Sequence, residues 1–229
     1  MQTKISIIIP VFNEEKTLEK ALHQVLRQKA VGEVIVVNDG SSDNTARILK
    51  RIKFKNKKIK VISHRKNKGK GAAVRTALSK ISLDYFLIQD ADLEYDPKYY
   101  KRLIKRLSKN NAVYGSRLIT KNAHAYQRTY LGNVLLTQFC NFLFNTNLTD
   151  TYTCYKLIKT SLARELNLCS SGFELEAEIT GKLAQRKVKI VEVPISFSPR
   201  KYEEGKKIKA IDAAKGALMF LKIKLGILD

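Results

Sequence analysis

Five short runs of nearly unbroken apolar and β-branched residues recur along the first half of the chain: ISIII from residue 5, EVIVV from 33, IKVIS from 59, DYFLI from 84 and AVYG from 112. Between them lie segments of helical period at 15–28, 43–53, 71–80 and 97–109. A strand that is apolar at every position is buried on both faces, which happens when helices cover both sides of a parallel sheet. Strand-helix alternation of this kind predicts an α/β domain with a parallel sheet through residue 116. Past Arg117 the rhythm changes. Residues 118–130 are polar and basic, and then Leu131, Val134, Leu135, Gln138, Phe139, Phe142 and Leu143 follow at helical spacing. A strand, VKIVEVPISF, returns at 188–197. Ile208, Ile211, Ala214, Leu218, Leu221, Leu225 and Leu228 then step by threes and fours through a lysine-rich amphipathic helix. RKYEEGKK at 200–207 reads as a mobile loop. With 229 residues and no repeat or low-complexity linker, the expectation is one domain over 1–229, built from a first part at 1–117, a second at 118–205 and the helix of 206–229.

The charge narrows the partners. Lys and Arg number 43 against 21 Asp and Glu, a net charge of +22 that draws the molecule to phosphates, whether of nucleotide, nucleic acid or anionic membrane. Cys140, Cys154 and Cys169 are odd in number and lack the close pairing of a zinc or redox motif, so they read as reduced thiols in a cytoplasmic protein. MQTKISIIIP is too short for a signal-peptide core, and no apolar run reaches the length of a membrane span.

Ligands of open α/β sheets bind outside the carboxyl ends of the strands, so the residues after each apolar run are the candidates. PVFNEE follows the first strand. NDGSSDNT follows the second, with Asp39 and Gly40 at its end and Ser42 or Asp43 placed to cap a helix. NKGKGAA follows the third, where Gly69 and Gly71 permit close backbone approach and Lys70 offers a cation at a helix N-terminus; the spacing is not that of a P-loop. After the fourth, QDADLEYDP gathers Asp90, Asp92, Glu94 and Asp96 in a basic chain. Asp96 before Pro97 suits a helix start, whereas Asp90 and Asp92 at a strand end suit one Mg2+ or Mn2+ ion whose coordination is completed by water and substrate phosphates. His23, His64 and His124 are scattered, and no chemistry is assigned to them.

In this order and approximate spacing, SIIIPVFNEEKTL, VIVVNDGSSDNT, NKGKGAAVRTAL, QDADLEYDP and GSR resemble the family-2 glycosyltransferases. DTYTCYK, GFELEAEIT and VEVPISFSPRKYEEGKKI extend the resemblance to the branch that makes polyprenyl (dolichyl) phosphate sugars. It implies the nucleotide-diphospho-sugar transferase fold (glycosyltransferase A type), a mostly parallel mixed sheet. It further implies that Pro10, Phe12, Glu14 and Asp39 line a nucleoside pocket in which Asp39 meets the base, and that Asp90, Asp92 and Glu94 hold the metal. Lys70 and Arg200 join the nucleotide-sugar site, and Glu94 stands where the family often has Gln.

The reaction so implied is metal-dependent, inverting transfer of a sugar from a nucleotide diphosphate to a polyprenyl phosphate. Arg117, Lys70 and Arg200 are candidate cations for the developing phosphate charge. A lipid phosphate is already an anion and needs no general base, whereas a sugar hydroxyl, the alternative acceptor, needs a positioned carboxylate. Asp150, Glu176 and Glu178 are the available bases, with a solvated helix flank as the plain alternative for the last two. Asp92, Arg117, Asp150 and Glu176 form the expected catalytic set, and Arg117 and Arg128 the acceptor-phosphate pair. The basic terminal helix predicts peripheral attachment to the cytoplasmic face of an anionic membrane, with packing on the sheet as the alternative and room left for a separate membrane subunit. A basic nucleic-acid module is the reading from another class; it has no zinc spacing or RNP-type aromatic motif in its favour. The donor's base and sugar, GDP-mannose or UDP-glucose among others, are not fixed by these motifs.

Overall fold

In a computed structural model of the chain, residues 3–108, 111–119, 127–200 and 210–228 are described, with backbone alone for Lys55, 127–129 and Ala210. The expected loop at 200–207 falls outside them beyond Arg200, as do the side chain of Arg128 and all of Ile208 and His124.

The apolar runs form the strands predicted for them. β1 (Ile5–Val11), β2 (Val31–Asn38), β3 (Ile59–Ser63) and β4 (Tyr85–Ile88) alternate with α1 (Leu18–Leu26), α2 (Thr45–Lys55) and α3 (Lys70–Leu78). A single 3-10 turn at Pro97–Tyr99 leads into α4 (Tyr100–Ile104), and β5 (Asn111–Ser116) follows. The helix expected over 97–109 is therefore short. Asp96 caps its start by accepting the N–H of Lys98, and Asn111 ends it by accepting from Ser108 N and donating to Arg106 O. The second half adds α5 (Gln127–Phe144), β6 (Lys156–Lys159), α6 (Thr160–Glu165), α7 (Leu175–Gln185), β7 (Lys189–Pro194) and α8 (Ala210–Lys224).

Seven strands form one sheet in the order β3-β2-β1-β4-β6-β5-β7. β1 pairs in parallel with β2 and β4, β2 with β3, and β5 with β7, while β6 runs antiparallel to both β4 and β5. One reversed strand thus makes the sheet mixed. The residues alone predict only the parallel part, because β6 is four residues long and carries Lys at both ends. Lys156 is nonetheless fully buried, its ammonium donating to the carbonyls of Thr151 and Thr153 and paired with Glu176.

Ile7, Ile8, Ile9, Val34 to Val37, Phe86 to Ile88 and Val113 form the centre of the main core. A smaller core joins Cys140 of α5, Ala177 of α7 and Met219, Phe220 and Ile223 of α8. α7 lies between these layers, with every residue from Leu175 to Ala184 buried. That corrects the solvated-flank reading of Glu176 and Glu178, which are 2% and 0% exposed.

Candidate active site

Four parallel strands end at one cleft of about 310 Å3. Pro10, Phe12 and Glu14 enter it after β1, Asp39 after β2, Asp90, Asp92 and Glu94 after β4, and Arg117 after β5. Lys70 from the head of α3, Glu176 from the first turn of α7, and Arg200 complete the set brought together from the sequence. Asp150 stands behind Arg117 rather than in the wall, and Glu178 is turned away to hold Cys169 N and Ser170 N. The cleft also holds Asn67, Tyr95, Tyr152, Cys154 and Phe173, which sequence reasoning missed. Each sits inside a quoted motif, Asn67 in NKGKGAA, Tyr95 in QDADLEYDP, Tyr152 and Cys154 in DTYTCYK and Phe173 in GFELEAEIT, so the signal was present in the motif and not in the single residue.

The backbone brings these residues together at close quarters. Gly69 has φ +94°, and a Cβ there would lie 2.3 Å from Ser171 O; at Gly71 it would lie 2.5 Å from Ser170 O. Only glycine lets α3 approach the turn before α7. Leu93 sits between Asp92 and Glu94 with φ +68°, a left-handed backbone uncommon for a branched residue. This turn lets Asp92 Oδ1 accept the N–H of Glu94 at 3.1 Å.

Three ionic groups line the wall. Lys70 Nζ lies 2.9 Å from Asp90 Oδ1 and 3.0 Å from Glu176 Oε1, and Lys156 holds the other oxygen of Glu176. Burial acts to lower the Lys70 ammonium, but Asp90 and Glu176 carry it well above its usual range, so it stays charged. Burial likewise acts to raise the Asp90 carboxyl, and Lys70 outweighs it, leaving Asp90 below the usual range. In the second group Arg200 spans Glu14, with both nitrogens at 3.1 Å, and Asp92 Oδ2, also at 3.1 Å, while Arg200 N donates to Glu94 Oε1 at 2.8 Å. In the third Arg117 grips Asp150 through Nε at 2.7 Å and NH2 at 2.8 Å, and its backbone N–H joins at 3.0 Å. Asn133 Nδ2 donates to the same carboxylate at 2.9 Å. Arg117's guanidinium also lies 5.1 Å from the Phe197 ring and 5.9 Å from that of Tyr95.

Burial, helped by the charges of Asp90 and Glu94, pushes the Asp92 carboxyl up to about 7 against the pull of Arg200. A carboxylate crowded in this way is stabilised by an added cation. Among the described residues no three His, Cys, Asp or Glu side chains form a metal-holding group by themselves. The donor set therefore fits a hard divalent ion that takes one or two carboxylates and finishes its shell with substrate phosphates and water, and not a closed protein cage.

Comparison with known proteins agrees with this geometry. A family model, Glycosyl transferase family 2, matches residues 6–166, and the chain belongs to that family. It is a glycosyltransferase, moving a sugar from a nucleotide sugar. An uncharacterized protein of Methanocaldococcus jannaschii is 29% identical over 231 residues, covering 93% of this chain and 97% of the relative. A dolichol-phosphate mannosyltransferase of Pyrococcus furiosus is 27% identical over 212 residues, and the match spans 89% of this chain but only 59% of that enzyme. Glucosyl-3-phosphoglycerate synthase of Mycobacterium tuberculosis, solved with Mn2+ and UDP-glucose, superposes with a TM-score of 0.70 at 20% identity over 99% of this chain and 80% of that one. The expected fold, a mixed and mostly parallel sheet between helices, is the one found.

Proposed function

We propose that the chain transfers its sugar to the phosphate oxygen of a polyprenyl phosphate, with inversion at the anomeric carbon. The observation that carries this reading is that Asp150, Glu176 and Glu178, the three carboxylates expected as general bases, are already committed. Asp150 is fully buried in its bidentate pair with Arg117. Glu176 lies between Lys70 and Lys156. Glu178 accepts from two backbone amides and lies 3.3 Å from Lys182. A hydroxyl acceptor would need one of them to take its proton, whereas a phosphate oxygen arrives as an anion and attacks without a base. The dolichol-phosphate mannosyltransferase relative supports the same acceptor class.

In this reading Asp90 and Asp92, with Glu94 beside them, would hold Mg2+ or Mn2+, and the ion would neutralise charge that grows on the leaving phosphate. Lys70 is fixed beside Asp90 and adds a permanent positive charge to that end of the cleft. Pro10, Phe12, Glu14 and Asp39 hold the nucleoside. Arg200 is the cation nearest the carboxylates of Asp92 and Glu14, and on donor binding it exchanges these for diphosphate oxygens. Arg117 is oriented by Asp150 and Asn133 to receive the acceptor phosphate, with Arg128 as a second cation. Asp150 acts through Arg117 as a positioning residue.

A polyprenyl acceptor lies in a bilayer, and the outer surface of the second half is suited to meet one. α8 buries Met219, Phe220 and Ile223 and leaves Ile211, Leu218 and Leu221 exposed among its lysines, with Leu225 exposed in the turn after it; α5, against which it packs, exposes Leu131, Leu135 and Phe142. No helix among the described residues is long and apolar enough to cross a membrane. Peripheral attachment at the cytoplasmic face, through apolar insertion and basic charge, is the proposed setting.

The test is direct. The full chain is incubated with labelled UDP-glucose or GDP-mannose, Mn2+ or Mg2+, and either a polyprenyl phosphate or a sugar with free hydroxyls. Label in an acid-labile lipid product supports the reading, and transfer to the hydroxyl acceptor alone overturns it.

A further inference from the structure

Lys156 opens β6 with its side chain fully buried behind the cleft wall. Three acceptors surround its ammonium: Thr151 O at 3.0 Å, Thr153 O at 2.6 Å and Glu176 Oε2. Burial lowers this group below its usual range against the pull of Glu176. Three acceptors are nevertheless satisfied together only by the three protons of the charged form. One oxygen of Glu176 is thereby fixed. The other, Oε1, is buried 3.0 Å from Lys70 Nζ, yet it accepts no hydrogen bond. Lys70 directs its hydrogen bond to Asp90 instead, with Nζ 3.1 Å from Oδ2 and 2.9 Å from Oδ1.

Lys156, Glu176, Lys70 and Asp90 thus form a row of alternating charge, and the side chains of the first three are 0%, 3% and 12% exposed. A buried ammonium deprived of its partner is strongly destabilising. Asp90 is a carboxylate that a cation at the acidic turn would claim, and that claim would withdraw it from Lys70. Glu176 Oε1 already lies within reach with a lone pair to offer, so Lys70 can pass its hydrogen bond from one carboxylate to the other while keeping its place. The close approach of α3 to the turn before α7 at Gly69 and Gly71 sets Lys70 between the two.

We propose that Glu176, set by Lys156, is a positioning residue that receives Lys70 when Asp90 takes up a divalent ion, so that the chain's own lysine does not compete with the ion for that carboxylate. The proposal rests on the metal and nucleotide-diphosphate reading given above, and deepens it by naming the residue that clears the site.

Calorimetric titration of the full chain with UDP, and separately with GDP, at a series of Mn2+ concentrations tests it. The quantity read is the Mn2+ concentration at which nucleotide affinity is half-maximal. Glu176→Gln combined with Lys156→Met leaves neither partner of the buried pair uncompensated, but it takes the second carboxylate from Lys70. Lys70 then keeps to Asp90, and the Mn2+ midpoint should rise about tenfold or more. Removing the competitor as well, with Lys70→Met, should bring the midpoint back toward the wild-type value. Glu176→Asp keeps the charge but draws the oxygens back from Lys70; it should show a smaller rise, and it decides the matter where the double variant does not fold. A residue that only supported the fold would weaken the nucleotide at every Mn2+ concentration and leave the midpoint where it was. An unchanged midpoint in these variants, or one that stays raised after Lys70→Met, overturns the hand-over while leaving the metal and transferase readings in place. Nucleotide binding to the wild-type chain that is indifferent to Mn2+ overturns both the hand-over and the metal reading.

Discussion

The sharpest consequences at the residue scale concern charges held in buried or crowded positions. Asp92→Asn keeps the shape of the acidic turn but removes the charge that a diphosphate-bound cation would meet. Transfer should fall by about 100-fold or more while circular dichroism stays that of the wild type. Near-normal turnover with metal present would count against the site. Glu176→Gln tests a different role. It leaves Lys156, which is fully buried, without its counter-ion, and loss of one partner of a buried pair costs about 3–5 kcal/mol. Urea denaturation should show that loss, and Lys156→Met in the same chain should recover a large part of it. A Glu176→Gln enzyme of unchanged stability but altered pH-rate profile would instead mark Glu176 as a base. Far from the cleft, Glu33 provides a clean pH signature. Burial would raise its carboxyl, but Lys60, the N–H of Ser82 and the hydroxyl of Ser6 outweigh it and lower it from 4.5 to about 2. The folded state therefore holds this proton less tightly than the unfolded chain. The resulting stabilisation is complete above pH 4.5 and is lost as the pH falls toward 2. Glu33→Gln should flatten that part of the acid-unfolding curve, and an unchanged acid limb would contradict the assignment.

At the scale of elements, the legible parts of the sequence were those where one physical signal dominated. ISIII and EVIVV have no polar position to obscure them and became β1 and β2. β6 was missed because Lys156 interrupts its apolar run, and a buried lysine can be recognised only once Glu176 and the carbonyls of Thr151 and Thr153 are known to surround it. The solvated-flank alternative for Glu176 and Glu178 fails for the same reason, since a helix with Glu176, Glu178, Thr180 and Lys182 all buried looks amphipathic in sequence. The terminal helix shows the reverse. Its spacing of Ile211, Leu218, Leu221 and Leu225 was read correctly as a stripe, yet that stripe is the outer face, and Met219, Phe220 and Ile223 make the inner one. His64 could not have been tied to Asp39 from a separation of 25 residues without the β2–β3 register. Gly216 marks how closely α8 approaches the cleft, for a Cβ there would lie 1.7 Å from the hydroxyl of Tyr152, a cleft residue. Gly216→Ala should therefore destabilise by about 1–3 kcal/mol through overpacking, measured by chemical denaturation, despite alanine's better helix propensity. A stabilised variant would show that α8 does not sit against Tyr152.

At the scale of the whole molecule, the cleft gathers acids in a chain whose net charge is +22, so the positive excess lies on the remainder of the molecule. Such a division suits a protein that handles a polyanionic donor through a metal and meets an anionic bilayer with its outside. Sedimentation with vesicles containing anionic lipid should show binding that weakens steeply with salt, and Leu218→Glu with Leu225→Glu should reduce it without altering transfer to a short-chain, water-soluble acceptor. Equal binding of that double variant would remove α8 from the contact. The central claim is that a divalent cation joins the acidic turn after β4 to the donor's diphosphate. The most direct measurement is anomalous diffraction from crystals of the chain grown with Mn2+ and an unreactive nucleotide-sugar analogue. The account predicts one manganese peak touching an oxygen of Asp92 and the diphosphate, with the Arg200 guanidinium moved off Asp92 toward phosphate oxygens. A nucleotide bound in the cleft with no ion at Asp92, or an ion bound away from the diphosphate, would contradict it.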